Sequence, residues 1–461
     1  MATYQRLTVL DEMFLHLEGP NTHMHVGAVI TFDGPPPDFG DFLEMARVRL
    51  QKVPRFRQKL AKVPFGLGRP VWVDDTHFNL EYHIRHTALP PPGNEQKLKA
   101  LAARIMSQRL DRTKPLWEIW FVEGLAGGGF AYISKTHHAL VDGVSGADIM
   151  TVILDLTPEP EELEPQRWIP EPEPTQDRLI LDALRERLTS PAEAMRVAQS
   201  ATSDPRRLPN RIVQGARDIG AFVGGSLVDA APESTINQPI GPHRRFETID
   251  SDLNEIKRVK NSLGGTVNDV VLASVTGGLR HLLQTRGERT NDLELRAMVP
   301  VSVRADEQKG ALGNQVATMW APLPVFEADP IKRLEWVGER MKDLKSSGQS
   351  VGAQLLTSIG EWAPSTVIAQ ASRLVSRQRA YNLVVTNVPG PQFPLYTMGR
   401  EMREVYPVVP IVDNTTLGIA LMSYNGKMCW GILGDYDAAS DIGVLAEGIE
   451  KSIAELVALA S

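Results

Sequence analysis

Cysteine is nearly absent from this sequence: Cys429 is the only one in 461 residues. A lone thiol excludes an intrachain disulfide and any zinc site built on paired cysteines. Long apolar runs are missing too. No stretch of about 18 hydrophobic residues occurs, so no membrane-spanning helix is expected. The opening Met1-Ala2-Thr3-Tyr4-Gln5-Arg6 leads into Leu10-Asp11-Glu12 without an apolar segment, so a secretory signal is not expected either. Positive charge is in deficit, with 49 Lys and Arg against 56 Asp and Glu and a formal net charge of −7. A duplex nucleic-acid binder needs a basic stripe against the phosphates, and that class is set aside. Local basic patches remain available for the phosphates of a small molecule. What is left is 42% hydrophobic and 23% charged, the profile of a globular cytoplasmic protein long enough for two domains.

Along the chain, residues 1–157 read as mixed α/β. Residues 25–32 are rich in β-formers and run into the Asp33-Gly34 turn. Helical spacing marks 42–50 and 97–110, and strands are expected at 117–122 and 130–136, joined by a glycine-rich hairpin. Between 157 and 177 prolines 158, 160, 165, 170, 172 and 174 interleave with glutamates, which stops both helix and sheet and predicts an extended, solvated linker. Helices are expected at 179–197 and 212–228. The second half, from about 241, alternates again: a helix at 252–263, an apolar helix after Thr266, strands at 295–303 and 381–386, and a hairpin turning at Asn425-Gly426. The division expected is 1–157, 158–240 and 241–461.

The chemistry concentrates in His137-His138-Ala139-Leu140-Val141-Asp142-Gly143, at the end of a predicted strand and before a predicted helix. On an extended backbone His137 and His138 point to opposite faces, so one imidazole enters a given cavity and a metal shared by the pair is not expected. Imidazole titrates near about 6.5 and is suited to taking a proton from an alcohol as it attacks a thioester. Taken alone, the string also fits a core histidine beside a surface Asp-Gly turn.

The flanking blocks add to it. Leu10-Asp11-Glu12-Met13-Phe14-Leu15, Met24-His25-Val26-Gly27, Pro115-Leu116-Trp117, His137 to Gly143, Asn268-Asp269-Val270-Val271-Leu272-Ala273, Pro300-Val301-Ser302-Val303-Arg304 with Gly313-Asn314, and Thr386-Asn387-Val388-Pro389-Gly390-Pro391 follow one another along nearly the whole chain. In that order they resemble the bacterial wax ester synthase/diacylglycerol acyltransferases. That family belongs to the His-x-x-x-Asp acyltransferases, with chloramphenicol acetyltransferase and peptide-synthetase condensation domains. The resemblance implies two chloramphenicol-acetyltransferase-like α/β domains, each a mixed sheet with helices, and an active-site channel between them. It implies direct acyl transfer with no acyl-enzyme and no bound cofactor. Acyl-CoA is the donor, and diacylglycerol or a long-chain alcohol is the acceptor. His138 is then the general base and His137 a support through packing or a hydrogen bond. Asp142 becomes a structural loop anchor paired with an arginine, for which Arg304 is the candidate, and Gly143 permits the tight turn. Asn268 is a candidate for oxyanion stabilisation or positioning, and Asp269, Arg304 and Asn387 are candidates for substrate binding. Thr266-x-x-Asp269 also fits a helix-capping pattern, and both readings of Asp269 stand.

Three rivals are weighed. Gly348-Gln349-Ser350-Val351-Gly352 has the form of a hydrolase nucleophile elbow, but a charged stretch precedes it and no histidine follows His281, so the chain order fails. A non-catalytic lipid-binding protein has no need of an intact His138 and Asp142. A carrier-protein-bound donor lacks a carrier domain here. The apolar stretches 212–228 and 351–374 suit either a buried helix or peripheral contact with the inner membrane or lipid droplets. Oligomeric state is left open.

Overall fold

The computed structural model describes residues 4–141, 150–189, 230–302, 316–346 and 379–460. Asp142, Gly143, Arg304, Gly313, Asn314, the 348–352 motif and the stretches 212–228 and 351–374 lie outside the described residues.

Two six-stranded mixed sheets carry the chain. The first runs in the order β12-β13-β2-β7-β6-β5, built from β2 (His25–Phe32), β5 (Ile84–Ala88), β6 (Trp117–Glu123), β7 (Phe130–His137), β12 (Tyr396–Thr397) and β13 (Arg400–Val408). The second runs β10-β9-β11-β14-β15-β8, from β8 (Arg244–Asp252), β9 (Glu294–Ser302), β10 (Val316–Pro324), β11 (Leu383–Pro389), β14 (Leu417–Tyr424) and β15 (Lys427–Asp435). In it β11 pairs in parallel with both β9 and β14, and the other pairs are antiparallel. A small sheet of β1 (Gln5–Arg6), β4 (Val71–Asp74) and β3 (Gln58–Ala61) lies beside them. These mixed sheets with helices agree with the α/β class expected.

Local chemistry explains several elements. Helix α1 (Val9–Leu17) starts in a reciprocal capping box between Thr8 and Asp11 and stops at Glu18, before Gly19-Pro20. Helix Val267–Thr285 starts in the same way at Thr266 and Asp269. It packs its apolar side, including Val271, Val275 and Leu279, against helix Ile442–Leu459 in the core of the second sheet. The β14–β15 hairpin turns at Asn425 (φ 44°) and Gly426 (φ 82°), the paired positive angles of a type I′ turn.

One strand crosses the expected division. Residues 396–408 were assigned to the C-terminal unit, yet β13 is hydrogen-bonded antiparallel to β2, with Tyr406 opposite Val29 and Val408 opposite Gly27. The chain crosses to the first sheet and returns to the second at β14. The crossing is tight, since a Cβ on Gly431 of β15 would stand 2.0 Å from the Pro407 carbonyl oxygen of β13. The Pro/Glu segment carries no helix or strand over residues 160–175, and it is tethered to the first half of the chain. Glu161 pairs with Lys52, Glu173 with Lys59 at 3.0 Å, and the Glu171 N–H donates to Asp74 at 3.0 Å.

Candidate active site

A cavity of about 720 Å³ lies between the two sheets. Its walls come from β2, β7 and β13 on one side and from β9, β10, β11 and β14 on the other. The lining is mostly apolar, with methionines 24, 298, 402 and 422 among it. A volume of this kind suits a ligand with a large apolar part, and methionine walls adapt to its shape.

Strand parity brings His138 to this cavity. Along β7 the even residues Ser134 and Thr136 face it, and His138 follows them as the chain turns into the short helix His138–Val141. The His138 backbone N–H still continues the sheet, donating to Met24 O at 2.8 Å. Its ring packs on Phe14 of α1, with centroids 4.0 Å apart. The side chain is half-buried, open to the cavity and supported from behind.

His137 points the other way and is fully buried. Its Nδ1 accepts the Ala139 N–H at 3.1 Å, so the ring proton sits on Nε2, which lies 3.6 Å from a Glu18 carboxylate oxygen. Burial lowers the His137 pKa, against the opposing pull of Glu18. Glu18 is a hub. Arg112 Nε donates to it at 2.6 Å, Arg109 Nε lies at 3.4 Å and His25 Nε2 at 3.8 Å, while its own side chain is 1% exposed. Burial alone would raise this carboxyl, but His137 and Arg112 outweigh it and hold the pKa down at about 2. His25 sits well below the ordinary imidazole range, through burial and then through Lys135.

A depressed carboxyl pKa stabilises the fold at pH above its unfolded value, near 4.5, and that stability is lost as pH falls towards about 2. The wild type should therefore resist urea better than Glu18→Gln at pH 6, with the lead shrinking between about pH 4.5 and 2. A lead that stays constant across this window contradicts the assignment.

The other expected site residues are placed as follows. Asp269 Oδ2 accepts the Thr266 N–H and hydroxyl, each at 2.8 Å, so its carboxylate serves the helix cap. Neither Asp269 nor the half-buried Asn268 is among the described residues that line the cavity. On β11, Thr386 and Val388 line it, and alternation turns Asn387 to the opposite face. Glu18 and Phe14 were missed by the sequence reading. Both are on or beside a short helix, four residues apart, and nothing local distinguishes them: Arg109 and Arg112 are 91 and 94 residues from Glu18.

The family model for the wax ester synthase/diacylglycerol acyltransferase catalytic domain matches residues 7–271, and the model for the WS/DGAT C-terminal domain matches residues 312–457. The chain belongs to this family. Among WS/DGAT relatives, the probable diacylglycerol O-acyltransferase tgs1 of Mycobacterium tuberculosis (strain ATCC 25618 / H37Rv) is 36% identical over 458 residues, 98% of this chain and 96% of the relative. The solved wax ester synthase/diacylglycerol acyltransferase from Marinobacter aquaeolei VT8 superposes with a TM-score of 0.70 at 28% identity, over 99% of this chain and 100% of that one. The first condensation domain of the CDA synthetase, at 16% identity and a TM-score of 0.57 over 100% of this chain and 98% of that one, shares the fold.

Proposed function

We propose that this WS/DGAT chain transfers a long-chain acyl group from acyl-CoA to diacylglycerol, yielding triacylglycerol, with His138 as general base. The observation that carries the reading is His138 on the wall of a largely apolar cavity between the two sheets. The name of the tgs1 relative points to diacylglycerol as the acceptor. His138 takes the proton of the acceptor hydroxyl as its oxygen attacks the thioester carbonyl. The tetrahedral intermediate then collapses to the ester and expels the CoA thiolate, which takes the proton from the His138 imidazolium. Acyl-CoA is a substrate here, and the transfer needs no resident cofactor. An apolar enclosure keeps out water, which competes for the same thioester.

The Marinobacter neighbour's name pairs this activity with wax ester synthesis, and a fatty alcohol presents the same hydroxyl to His138. Purified protein given palmitoyl-CoA with dipalmitoylglycerol or hexadecanol should release free thiol only when an acceptor is present, and dipalmitoylglycerol should be the better one. Thiol release with neither acceptor rejects the reading, and a preference for hexadecanol moves it to wax ester synthesis.

The same proposal places the protein at the cytoplasmic side of a lipid surface. No helix among the described residues is long and apolar enough to cross a membrane. Residues 381–399 carry no charge, and Val388, on the cavity wall, and Phe393 are 43% and 50% exposed. An apolar rim of this kind suits a bilayer or droplet from which the acceptor enters. Flotation with phosphatidylcholine vesicles containing dioleoylglycerol tests it: protein that stays at the bottom of the gradient contradicts the contact.

A further inference from the structure

We propose that Glu18 is the positioning residue of the active site, acting on His138 through His137 and the Ala139 backbone. The inference rests on His138 as the base. It assigns a task to His137, the first histidine of the motif, and to a carboxylate about 120 residues upstream of it.

Helix α1 makes two contacts with one turn of chain. Phe14 packs on the His138 ring, and one helical turn later Glu18 faces His137 Nε2 at 3.6 Å. Glu18 is itself fixed in place. Arg112 donates to its carboxylate through Nε at 2.6 Å and to Leu15 O through a terminal nitrogen at 2.8 Å, which ties the carboxylate to the end of α1. Arg109 approaches the other oxygen at 3.4 Å.

The His137 ring transmits that placement. Its Nδ1 accepts the N–H of Ala139, a residue at the start of the short helix His138–Val141, where backbone N–H groups have no partner within the helix. This contact requires the Nε2–H tautomer, and the Glu18 charge favours it by facing that proton. In the other tautomer a ring N–H would point at the Ala139 N–H, donor against donor. Without Glu18 the Nε2–H loses its anionic partner in a fully buried site. The two tautomers then come closer in energy, and the peptide between His138 and Ala139 is no longer held to one orientation. A general base that drifts by about 1 Å loses roughly 10²-fold in rate.

Nitrogen-15 spectra of histidine-labelled full-length protein report the tautomer without any turnover, so failure here is distinct from failure of acyl transfer. Wild-type His137 is expected as the neutral Nε2–H form, and the Nδ1–H form overturns the proposal. In Glu18→Ala the single tautomer should be lost. The kcat for palmitoyl-CoA and dipalmitoylglycerol should fall about 10-fold or more with KM for palmitoyl-CoA little changed. Glu18→Gln, whose carbonyl dipole still faces the ring N–H, should recover most of both. Unchanged tautomer and kcat in Glu18→Ala overturn the proposal. So does Glu18→Gln no better than Glu18→Ala.

Discussion

Replacing His138 by alanine should lower kcat by at least about 10²-fold and leave a folded, stable protein. General base assistance accounts for about 10²–10⁴ in rate, and no other imidazole in the described structure reaches the cavity wall. His137 cannot substitute, because it lies on the far face of the strand end, with Nδ1 accepting the Ala139 N–H and Nε2 turned towards Glu18. The stability cost should stay within about 1 kcal/mol, since the ring is half-buried and loses mainly its packing on Phe14. Thiol release from palmitoyl-CoA with saturating acceptor, read beside a thermal melt, separates the two effects. Near-normal turnover in a folded variant would falsify the assignment of His138.

The largest loss of stability is expected from Arg49→Leu. Arg49 closes helix Phe39–Arg49 and meets Asp155 at 2.5 Å, with 3% and 4% of the two side chains exposed. The same carboxylate accepts the Glu161 N–H at 3.2 Å, and the Asp155 backbone exchanges hydrogen bonds of 2.7 and 2.9 Å with Tyr396 of β12. This one residue thus ties the chain leaving the catalytic motif to helix Phe39–Arg49, to the linker and to the edge of the first sheet. Removing the guanidinium strands a buried carboxylate, which typically costs about 3–5 kcal/mol. Urea unfolding of Arg49→Leu measures it, and the double variant Arg49→Leu/Asp155→Leu should recover much of the loss, because two apolar side chains leave no charge unpaired. A single variant within about 1 kcal/mol of wild type means that the pair carries no such load.

Both expectations depend on features of different visibility in the sequence. The strand expected at 130–136, the hairpin at Asn425-Gly426, the cap at Thr266 and the linker of prolines and glutamates are local: each follows from side-chain periodicity, turn chemistry or missing N–H donors within a few residues. The opposed directions of His137 and His138 are equally local, being strand parity. Glu18 and Asp155 are not. Each is an acidic residue whose meaning comes from partners 91 to 119 positions away for Glu18 and 106 for Asp155, and an acidic residue beside a turn is ordinarily a solvated one. The crossing of β13 into the first sheet was hidden for the same reason, since its partner β2 lies more than 370 residues earlier.

By itself, then, the sequence determined the α/β class, the element that carries the histidine pair and, through the ordered motifs, the family. Short-range stereochemistry and motif order suffice for those. Tertiary structure alone decided which sheet β13 joins, which carboxylate stands behind the motif and what cavity the motif's His138 faces. Those depend on pairings across the whole chain, where burial and charge compensation, rather than local preference, select the partner.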